Sequence, residues 1–113
     1  MGVKVFKKIG KCKKLLWTCE LADNSLKRAI GIMTKKRFRP LLFVFDAQKE
    51  QPISIHSFLC PAFHAVFIDK DRRIVQISSV KPSQLLTSRP ASYLLEVAEI
   101  KGLKVGDRLH WRL

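Results

Sequence analysis

The sequence contains few acidic residues. Nine Asp and Glu stand against 22 Lys and Arg, so the 113 residues carry a formal net charge of +13. This imbalance excludes an ordinary neutral surface, because uncompensated like charges repel one another and weaken the compact state. The shortage of carboxylates therefore indicates a partner that is itself anionic, such as nucleic acid or another polyanion.

Cysteine is also scarce. The three thiols, Cys12, Cys19 and Cys60, are odd in number and widely spaced. They fit neither a disulfide framework nor a pair of Cys-x-x-Cys zinc knuckles. Reduced thiols are typical of the cytosol, so we expect a cytoplasmic protein.

Long apolar runs are absent. The longest, residues 58–68, is interrupted by Pro61 and His64, and it is shorter than the roughly 18 residues of a membrane-spanning helix. No apolar block with a small-residue cleavage site follows the basic N-terminus, so a secretory signal is not expected. Because 47% of the residues are apolar, the chain can still build a core without disulfide or metal support. We expect residues 1–113 to form a single domain.

Alternation of apolar and polar residues is the main structural signal. Leu15, Trp17, Cys19 and Leu21 fall on one face of a predicted strand, and we expect that face to be buried. The unbroken apolar run at residues 41–45 predicts a central strand covered on both sides. Further strands, with a turn at residues 69–72, are predicted at residues 53–58, 63–69, 73–78, 93–97 and 108–113.

This strand count favours a mainly β fold. Seven or eight short strands predict a small β-sandwich or barrel-like domain, and the pattern leaves open whether the sheet closes. One short helix is predicted to begin at Asp23 or Asn24 and to end near Gly31. Residues 79–92, which contain Pro82 and Pro90, are expected to form a long surface connection.

A series of short motifs follows in a characteristic order: RAIGIM at 28–33, LLFVF at 41–45, SIH at 54–56, VFID at 66–69, KP at 81–82, SYLLEV at 92–97 and GLKVGDRL at 102–109. Over about residues 17–111 this order resembles the domain-of-unknown-function family numbered 192, in its archaeal form. The resemblance implies a small, β-rich, sandwich-like body with one short helix and no established activity. A basic strand or arm at residues 1–16 precedes that body, and His64 stands where members commonly carry Asp.

Most of the positive charge lies in the first third of the chain. Residues 1–39 carry a net charge of +10, whereas residues 40–113 carry only +3. Lysine and arginine bind backbone phosphates with release of counterions, and an exposed Phe can stack on an unpaired base. The candidate anion- or nucleic-acid-binding residues are Lys7, Lys8, Lys11, Lys13, Lys14, Lys35, Lys36, Arg37, Phe38 and Arg39.

A noncatalytic binding domain with a cationic N-terminal third is therefore the first hypothesis. A purely solvated basic face, with Phe38 in the core, is the plainer interpretation of the same pattern. Glu20 and Asp23 are the only acidic residues nearby in sequence that could pair with these cations. No helix-turn-helix, RNP-type aromatic pair or zinc knuckle is recognisable.

The second hypothesis is a small-ligand or enzymatic pocket on a polar strand face, lined by Arg28, His56, Cys60, His64 and Glu96. A spacing of four keeps the two histidines and Cys60 on one face of an unbroken strand, but Pro61 interrupts it. The spacing is also wider than that of typical metal-ligand pairs, so no metal or other cofactor is predicted. Cys60 lacks a Gly-rich elbow or a helix start, which disfavours catalysis. Glu96 is expected to face solvent or a polar groove.

A protein partner is a third possibility, and it leaves no recognisable pattern in the sequence.

Overall fold

A computed structural model describes residues 2–22, 40–57 and 62–113. These residues form nine strands: β1 (Gly2–Ile9), β2 (Cys12–Ala22), β3 (Leu41–Val44), β4 (Ser54–His56), β5 (Phe63–Ile68), β6 (Ile74–Val80), β7 (Leu85–Thr87), β8 (Tyr93–Val97) and β9 (Leu109–His110). The predicted mainly β fold class is confirmed. The helix predicted from Asp23 lies outside the described residues. Within the described ranges, no helix is long and apolar enough to span a bilayer.

Seven of the strands form one curled sheet in the order β6-β5-β8-β3-β2-β1-β9. Strands β4 and β7 form a second, two-stranded sheet. Neighbouring strands of the large sheet run antiparallel, except that β2 and β3 are parallel. Strand β3 is the middle strand, as the unbroken apolar run at 41–45 predicts.

The two edges of the large sheet meet at one end. The backbone N–H of Ile74 donates to the carbonyl oxygen of Asp107 at 2.8 Å, and the N–H of Leu109 donates to that of Arg72 at 2.9 Å. Arg73 and Arg108 form an isolated antiparallel bridge between these bonds. Because β9 also pairs with β1, it joins the two edges, and the sheet is a curled half-barrel. The strand pattern alone leaves this closure open.

Apolar side chains cover both faces of the sheet. Leu42 belongs to a first buried cluster inside the curl, whereas Leu41 and Phe43 belong to a second cluster on the opposite face. Ile55 of β4 and Leu86 of β7 pack against this second cluster, so the small sheet covers it. Successive side chains of a strand point to opposite faces, which is why a strand buried on both sides shows no polar alternation.

A β-bulge changes the predicted pattern of β2. Val5 pairs with Trp17, but the next residue, Phe6, pairs with Leu15, so Leu16 is an extra residue in the ladder. As a result Leu16 and Trp17 are both buried and Leu15 is 47% exposed. The prediction that Leu15 shares the buried face was wrong, because one inserted residue reverses the alternation on one side of the bulge.

The turn between β5 and β6 lies where it is predicted. The Oδ1 atom of Asp69 accepts hydrogen bonds from the backbone N–H groups of Asp71 and Arg73, both at 2.9 Å. The N–H of Arg72 donates to the carbonyl oxygen of Asp69 at 3.0 Å. A short Asp side chain that bonds to its own turn is a common way to stabilise such a reversal.

Part of the predicted long connection is regular structure. Strand β6 continues to Val80, and β7 occupies Leu85–Thr87, so the prediction of a surface connection over residues 79–92 was wrong there. The segment is tied down by the buried Ser57, whose Oγ donates to the carbonyl oxygen of Lys81 at 2.6 Å and accepts from the N–H of Gln84 at 2.7 Å. A strand of three residues is too short to give a recognisable alternation.

Because the middle strand is buried, shortening one of its side chains is predicted to lower the free energy of unfolding strongly. Leu42 is fully buried, whereas Leu85 is 78% exposed. We expect Leu42→Ala to lower the free energy of unfolding by about 2–5 kcal/mol, because it removes apolar contacts and leaves a cavity. The same truncation at Leu85 is expected to change it by less than about 0.5 kcal/mol. Urea unfolding followed by tryptophan fluorescence measures both, and equal losses would contradict the central position of β3.

Candidate functional site

The basic N-terminal segment forms a β-hairpin. Strands β1 and β2 are joined by a two-residue turn in which Gly10 has a φ of +59°, a left-handed conformation that glycine adopts without strain. The pairing sets Lys7 opposite Lys14 and Lys8 opposite Lys13. Like charges directly opposite one another destabilise a strand pair. The register of this hairpin therefore brings like charges together at two neighbouring positions.

Alternation along β1 separates a buried face from an outer face. Val3 and Val5 are buried in the first cluster. Lys4, Phe6 and Lys8 therefore point to the outer face of the sheet. Burial supports this assignment, because Lys4 and Lys8 are exposed and Phe6 is half-buried.

The remaining lysines of the hairpin divide between the two faces. Lys13 pairs with Lys8 and therefore shares the outer face. Lys7 and Lys14 pair with each other on the opposite face. There the Nζ atom of Lys7 donates to Oδ2 of Asp107 at 3.0 Å, so part of the charge on that face is neutralised within the protein.

Strand β9 extends the outer face on the other side of β1. His110 pairs with Phe6, which places the imidazole on the outer face. Arg108 and Arg112, two residues before and after it, have the same parity, and Leu109 between them is fully buried. Three strands therefore contribute basic side chains to one surface.

A cleft of about 550 Å³ opens on this surface, and we call it the basic cleft. Its volume lies within the range of about 300–1,000 Å³ that is typical of ligand sites. The described residues that line it are Gly2, Lys4, Phe6, Lys13, Arg72, His110, Trp111 and Arg112. None of these residues carries a carboxylate.

Arg72 is held in place at one wall of the basic cleft. Its guanidinium lies 4.0 Å from the ring centre of Trp111 and 5.9 Å from that of Tyr93, and it donates to the carbonyl oxygen of Trp111. The backbone of Arg72 has a φ of 70°, a left-handed conformation that costs a residue with a side chain about 1–2 kcal/mol. Gly or Asn would form this turn with less strain, so the arginine here is explained by its side chain.

His110 lies in the positive field of the surrounding cations. Partial burial, followed by the charges of Lys13, Arg108, Lys8 and Arg72, lowers the pKa of His110 below its ordinary value. Burial and neighbouring positive charge both disfavour the imidazolium form. The imidazole is therefore mainly neutral at pH 7, and a bound anion would favour its protonation.

The structure places the predicted binding residues in three groups. Lys8 and Lys13 lie on the face of the basic cleft, Lys7 and Lys14 on the opposite face, and Lys11 in the hairpin turn. The predicted residues Lys35, Lys36, Arg37, Phe38 and Arg39 lie outside the described residues.

Most residues of the cleft are not among those that the sequence predicts. The additional lining residues are Lys4, Phe6, Arg72, His110, Trp111 and Arg112. One signal was present in the N-terminal segment, where buried valines at positions 3 and 5 alternate with Lys4, Phe6 and Lys8. Arg72 and Arg112 show no such pattern, because they lie near the hairpin only where the two edges of the sheet meet.

The second hypothetical pocket is distributed over three surfaces. His56 is exposed on the outer side of β4, and His64 of β5 is half-buried on the face of the first cluster. Glu96 of β8 has the parity of Leu94 and lies on the face of the second cluster. Arg28 and Cys60 lie outside the described residues. Within residues 2–22, 40–57 and 62–113, no three His, Cys, Asp or Glu side chains are grouped closely enough to hold a metal ion.

Glu96 is a buried carboxyl group. It is only 5% exposed and lies between Leu41 and Ala65 of the neighbouring strands. The prediction that it faces solvent or a polar groove was wrong, because the second apolar cluster covers this face of β8 as well. Burial raises the pKa of Glu96 from 4.5 to about 8.

The raised pKa of Glu96 predicts a pH-dependent stability. Between pH 4.5 and about 8 the folded protein keeps the Glu96 proton, which the unfolded chain releases. The free energy of unfolding therefore falls as pH rises through this interval, by at most about 1.4 kcal/mol per pH unit. We expect Glu96→Gln to remove this dependence and to be more stable than the unaltered protein at pH 8. Urea unfolding at several pH values measures the effect, and Glu99→Gln, at an exposed position, is the control that keeps the original slope.

The fold and the cleft define a class: a small curled β-sheet domain with a cationic, aromatic-containing cleft where its edges meet. The chain belongs to the DUF192 family, described as "Uncharacterized ACR", whose sequence profile matches residues 6–111. This match confirms the resemblance predicted from the motifs.

Archaeal proteins are among the relatives. A UPF0127 protein of Pyrococcus furiosus is 30% identical over 109 residues, which covers 91% of this chain and 94% of the relative. A UPF0127 protein of Pyrococcus horikoshii is also 30% identical, over 113 residues, covering 91% of this chain and 96% of the relative. One from Thermococcus kodakarensis is 34% identical over 99 residues and covers 81% and 63%.

Two solved structures share the fold. A protein of unknown function from Novosphingobium aromaticivorans has a TM-score of 0.81 and 20% identity, covering 97% of this chain and 85% of that one. A protein from Sinorhizobium meliloti, described as a candidate transcription regulator, has a TM-score of 0.81 and 24% identity, covering 97% and 92%. At these identities the likeness shows the fold alone.

Proposed function

We propose that this protein is a noncatalytic binding domain that holds nucleic acid, or another polyanion, against the basic cleft. The observation that carries the proposal is that Lys4, Lys13, Arg72 and Arg112 line one concave site without a carboxylate among its described lining residues. Ordinary protein surfaces intersperse both signs of charge, whereas a cleft of one sign concentrates counterions.

Three further observations support an anionic ligand. Lys8 and Lys13, directly opposite one another on the face of the cleft, repel one another, and bound phosphates would offset that cost. The guanidinium of Arg72 is oriented by Trp111 before a ligand arrives, which reduces the entropy lost on binding. The structural neighbour from Sinorhizobium meliloti is described as a candidate transcription regulator, and nucleic acid as the ligand proposed here is consistent with that description.

The proposed binding surface includes the basic cleft and two basic residues beside it, Lys8 and Arg108. Lys8 and Arg108 share the outer face with the cleft and are close enough to His110 to lower its pKa. If about five phosphates are engaged, the logarithm of the affinity should fall against the logarithm of salt concentration with a slope of about −4 to −5. Lys35, Lys36, Arg37, Phe38 and Arg39 stay a prediction as additional contacts.

We also propose that residues 1–113 act as one domain in the cytoplasm. Val3 and Val5 of the basic hairpin pack in the same buried cluster as Tyr93 and Leu109, which ties the N-terminal segment to the body. The free thiols of Cys12 and Cys19 are consistent with a reducing compartment.

A matched pair of double variants tests the cleft. Lys4→Gln with Lys13→Gln removes two charges from the cleft, and Lys11→Gln with Lys14→Gln removes two from the turn and the opposite face. We expect the first double variant, Lys4→Gln with Lys13→Gln, to bind a fluorescein-labelled DNA oligonucleotide more weakly than the unaltered protein. The magnitude of its salt slope should be smaller by about 2. Fluorescence anisotropy at several salt concentrations measures both quantities.

The second double variant, Lys11→Gln with Lys14→Gln, is the control, and we expect it to change the salt slope by less than half as much. Equal effects of the two pairs would show that net charge, not the cleft, determines binding. If the unaltered protein binds neither single-stranded nor double-stranded DNA at about 50 mM salt, the proposed function is wrong.

His110 provides a second test within the same site. Burial, followed by the charges of Lys13, Arg108, Lys8 and Arg72, holds the pKa of His110 low, so phosphates that neutralise these charges should raise it. We expect the pKa of His110, followed by NMR of the imidazole protons, to rise on addition of the oligonucleotide. The imidazole resonances of His56, which is exposed on β4 and does not line the cleft, are the control and should move less on addition of the oligonucleotide. An unchanged His110 pKa at saturating oligonucleotide would place the ligand elsewhere.

A further inference from the structure

Phe6 is an aromatic side chain that lies in the cleft and not in the core. Its ring is half-buried and belongs to neither of the two apolar clusters formed by the described residues. It does line the basic cleft. Large apolar side chains stabilise a fold chiefly through burial among one another. Within the described residues, packing in a core cluster therefore does not account for the position of Phe6.

The surroundings of Phe6 combine one apolar surface with positive charge on several sides. Lys4 and Lys8 are its neighbours on the same face of β1, and His110 is its partner on β9. On β2 its partner is Leu15, which is 47% exposed. The ligand that matches this arrangement has a planar apolar group with negative charge close to it.

The β-bulge lies directly beside Phe6. The register changes between Val5 and Phe6, where Leu16 is inserted in the partner strand. Bulges increase the local twist of a strand and redirect its side chains, and they are frequent next to binding sites. Here the bulge separates the buried part of the hairpin from the lysine-rich part, and Phe6 is the first residue on the lysine-rich side.

Nucleic acid has this chemistry only where its bases are accessible. In a duplex the bases are paired and stacked, so a protein surface contacts phosphates or groove edges. In a single strand each base offers a free aromatic face between two phosphates, and stacking on protein aromatic side chains is a common mode of recognition. A cavity of about 550 Å³ matches a drug-sized unit such as one nucleotide.

We infer that the basic cleft is a site for single-stranded nucleic acid, in which an unpaired base stacks on Phe6 while Lys4, Lys13, Arg72 and Arg112 bind the adjacent phosphates. This inference rests on the proposed function and specifies its ligand class. Arg72 is suited to a phosphate because its planar donor array matches the phosphate oxygens and is already oriented by Trp111.

The test compares two strands of equal length and charge with the unaltered protein. One is a labelled oligothymidylate of about 12 nucleotides, and the other has the same backbone with abasic sites in place of its bases. We expect the abasic strand to bind about 5- to 100-fold more weakly, because stacking of a base contributes to affinity independently of the phosphates. The salt slopes of the two strands should agree, since the phosphate contacts are the same.

Two variants assign the effect to the ring. We expect Phe6→Leu to remove most of the difference between the strands while the affinity for the abasic strand changes by less than about twofold. Phe45→Leu is the matched control, because Phe45 is also half-buried but packs against the second cluster and does not line the basic cleft. It should keep the difference. Circular dichroism melting checks that both variants are folded.

The outcomes distinguish the inference from the proposed function. Equal affinities for the two strands, with salt-dependent binding of both, would overturn the single-strand inference and leave the proposed function intact. Binding of neither strand would overturn both. A difference between the strands that survives Phe6→Leu as fully as Phe45→Leu would remove Phe6 from the site, and tighter binding of a duplex with the same number of phosphates would exclude the stacking mode.

Discussion

The structure depends on the position of β9, a strand of only two residues that joins the two edges of the large sheet. On one side Leu109 pairs with Lys7 of β1, and on the other its N–H donates to the carbonyl oxygen of Arg72. Without these bonds, β1 and the start of β6 would be two separate sheet edges with unpaired backbone groups. The closure also determines the cleft, because its two arginines reach the hairpin lysines only through this junction.

Burial on both faces of the sheet explains why charge is concentrated at one place. The first cluster fills the curl, and the second is covered by β4 and β7, so the middle strands have little surface for polar side chains. Even Glu96, on β8, is buried and has a pKa of about 8. Basic side chains can remain solvated only on strands with a free outer face, and β1, the first part of β2 and β9 provide it. The concentration of lysine in the described hairpin, residues 2–22, thus has a structural basis.

Much of the fold is predictable from local patterns, and most of the site is not. The run at 41–45 predicts a strand covered on both sides because each of its positions is apolar. The Asp69 turn is predictable because a short carboxylate bonds to its own backbone. Leu15 was placed on the wrong face because a bulge is a property of two paired strands and has no signature in one. Strand β7 was missed because three residues with one half-buried member do not alternate visibly.

The site shows the same limit on a larger scale. Lys8 and Lys13 were selected because they belong to an obvious run of basic residues. Arg72 was assigned no role in the predicted binding surface, yet its side chain is packed against Trp111, 39 residues further along the chain. A contact of this kind depends on the closure of the sheet, which the alternation pattern does not specify. Phe38 gives a stronger signal in the sequence than Phe6, because more cations stand directly beside it.

Because the two edges of the sheet are joined at β9, the basic cleft exists only while this junction is intact. Lys4 is near the beginning of the chain and Arg112 near its end, and both line the same cavity. If the hairpin or β9 detaches, the cations separate and no concave site remains. A ligand held across this junction connects the first strand to the last and stabilises the native state by mass action, by RT ln(1 + L/Kd), where L is its free concentration. The protein would thus be most resistant to opening of its edge when its binding site is occupied.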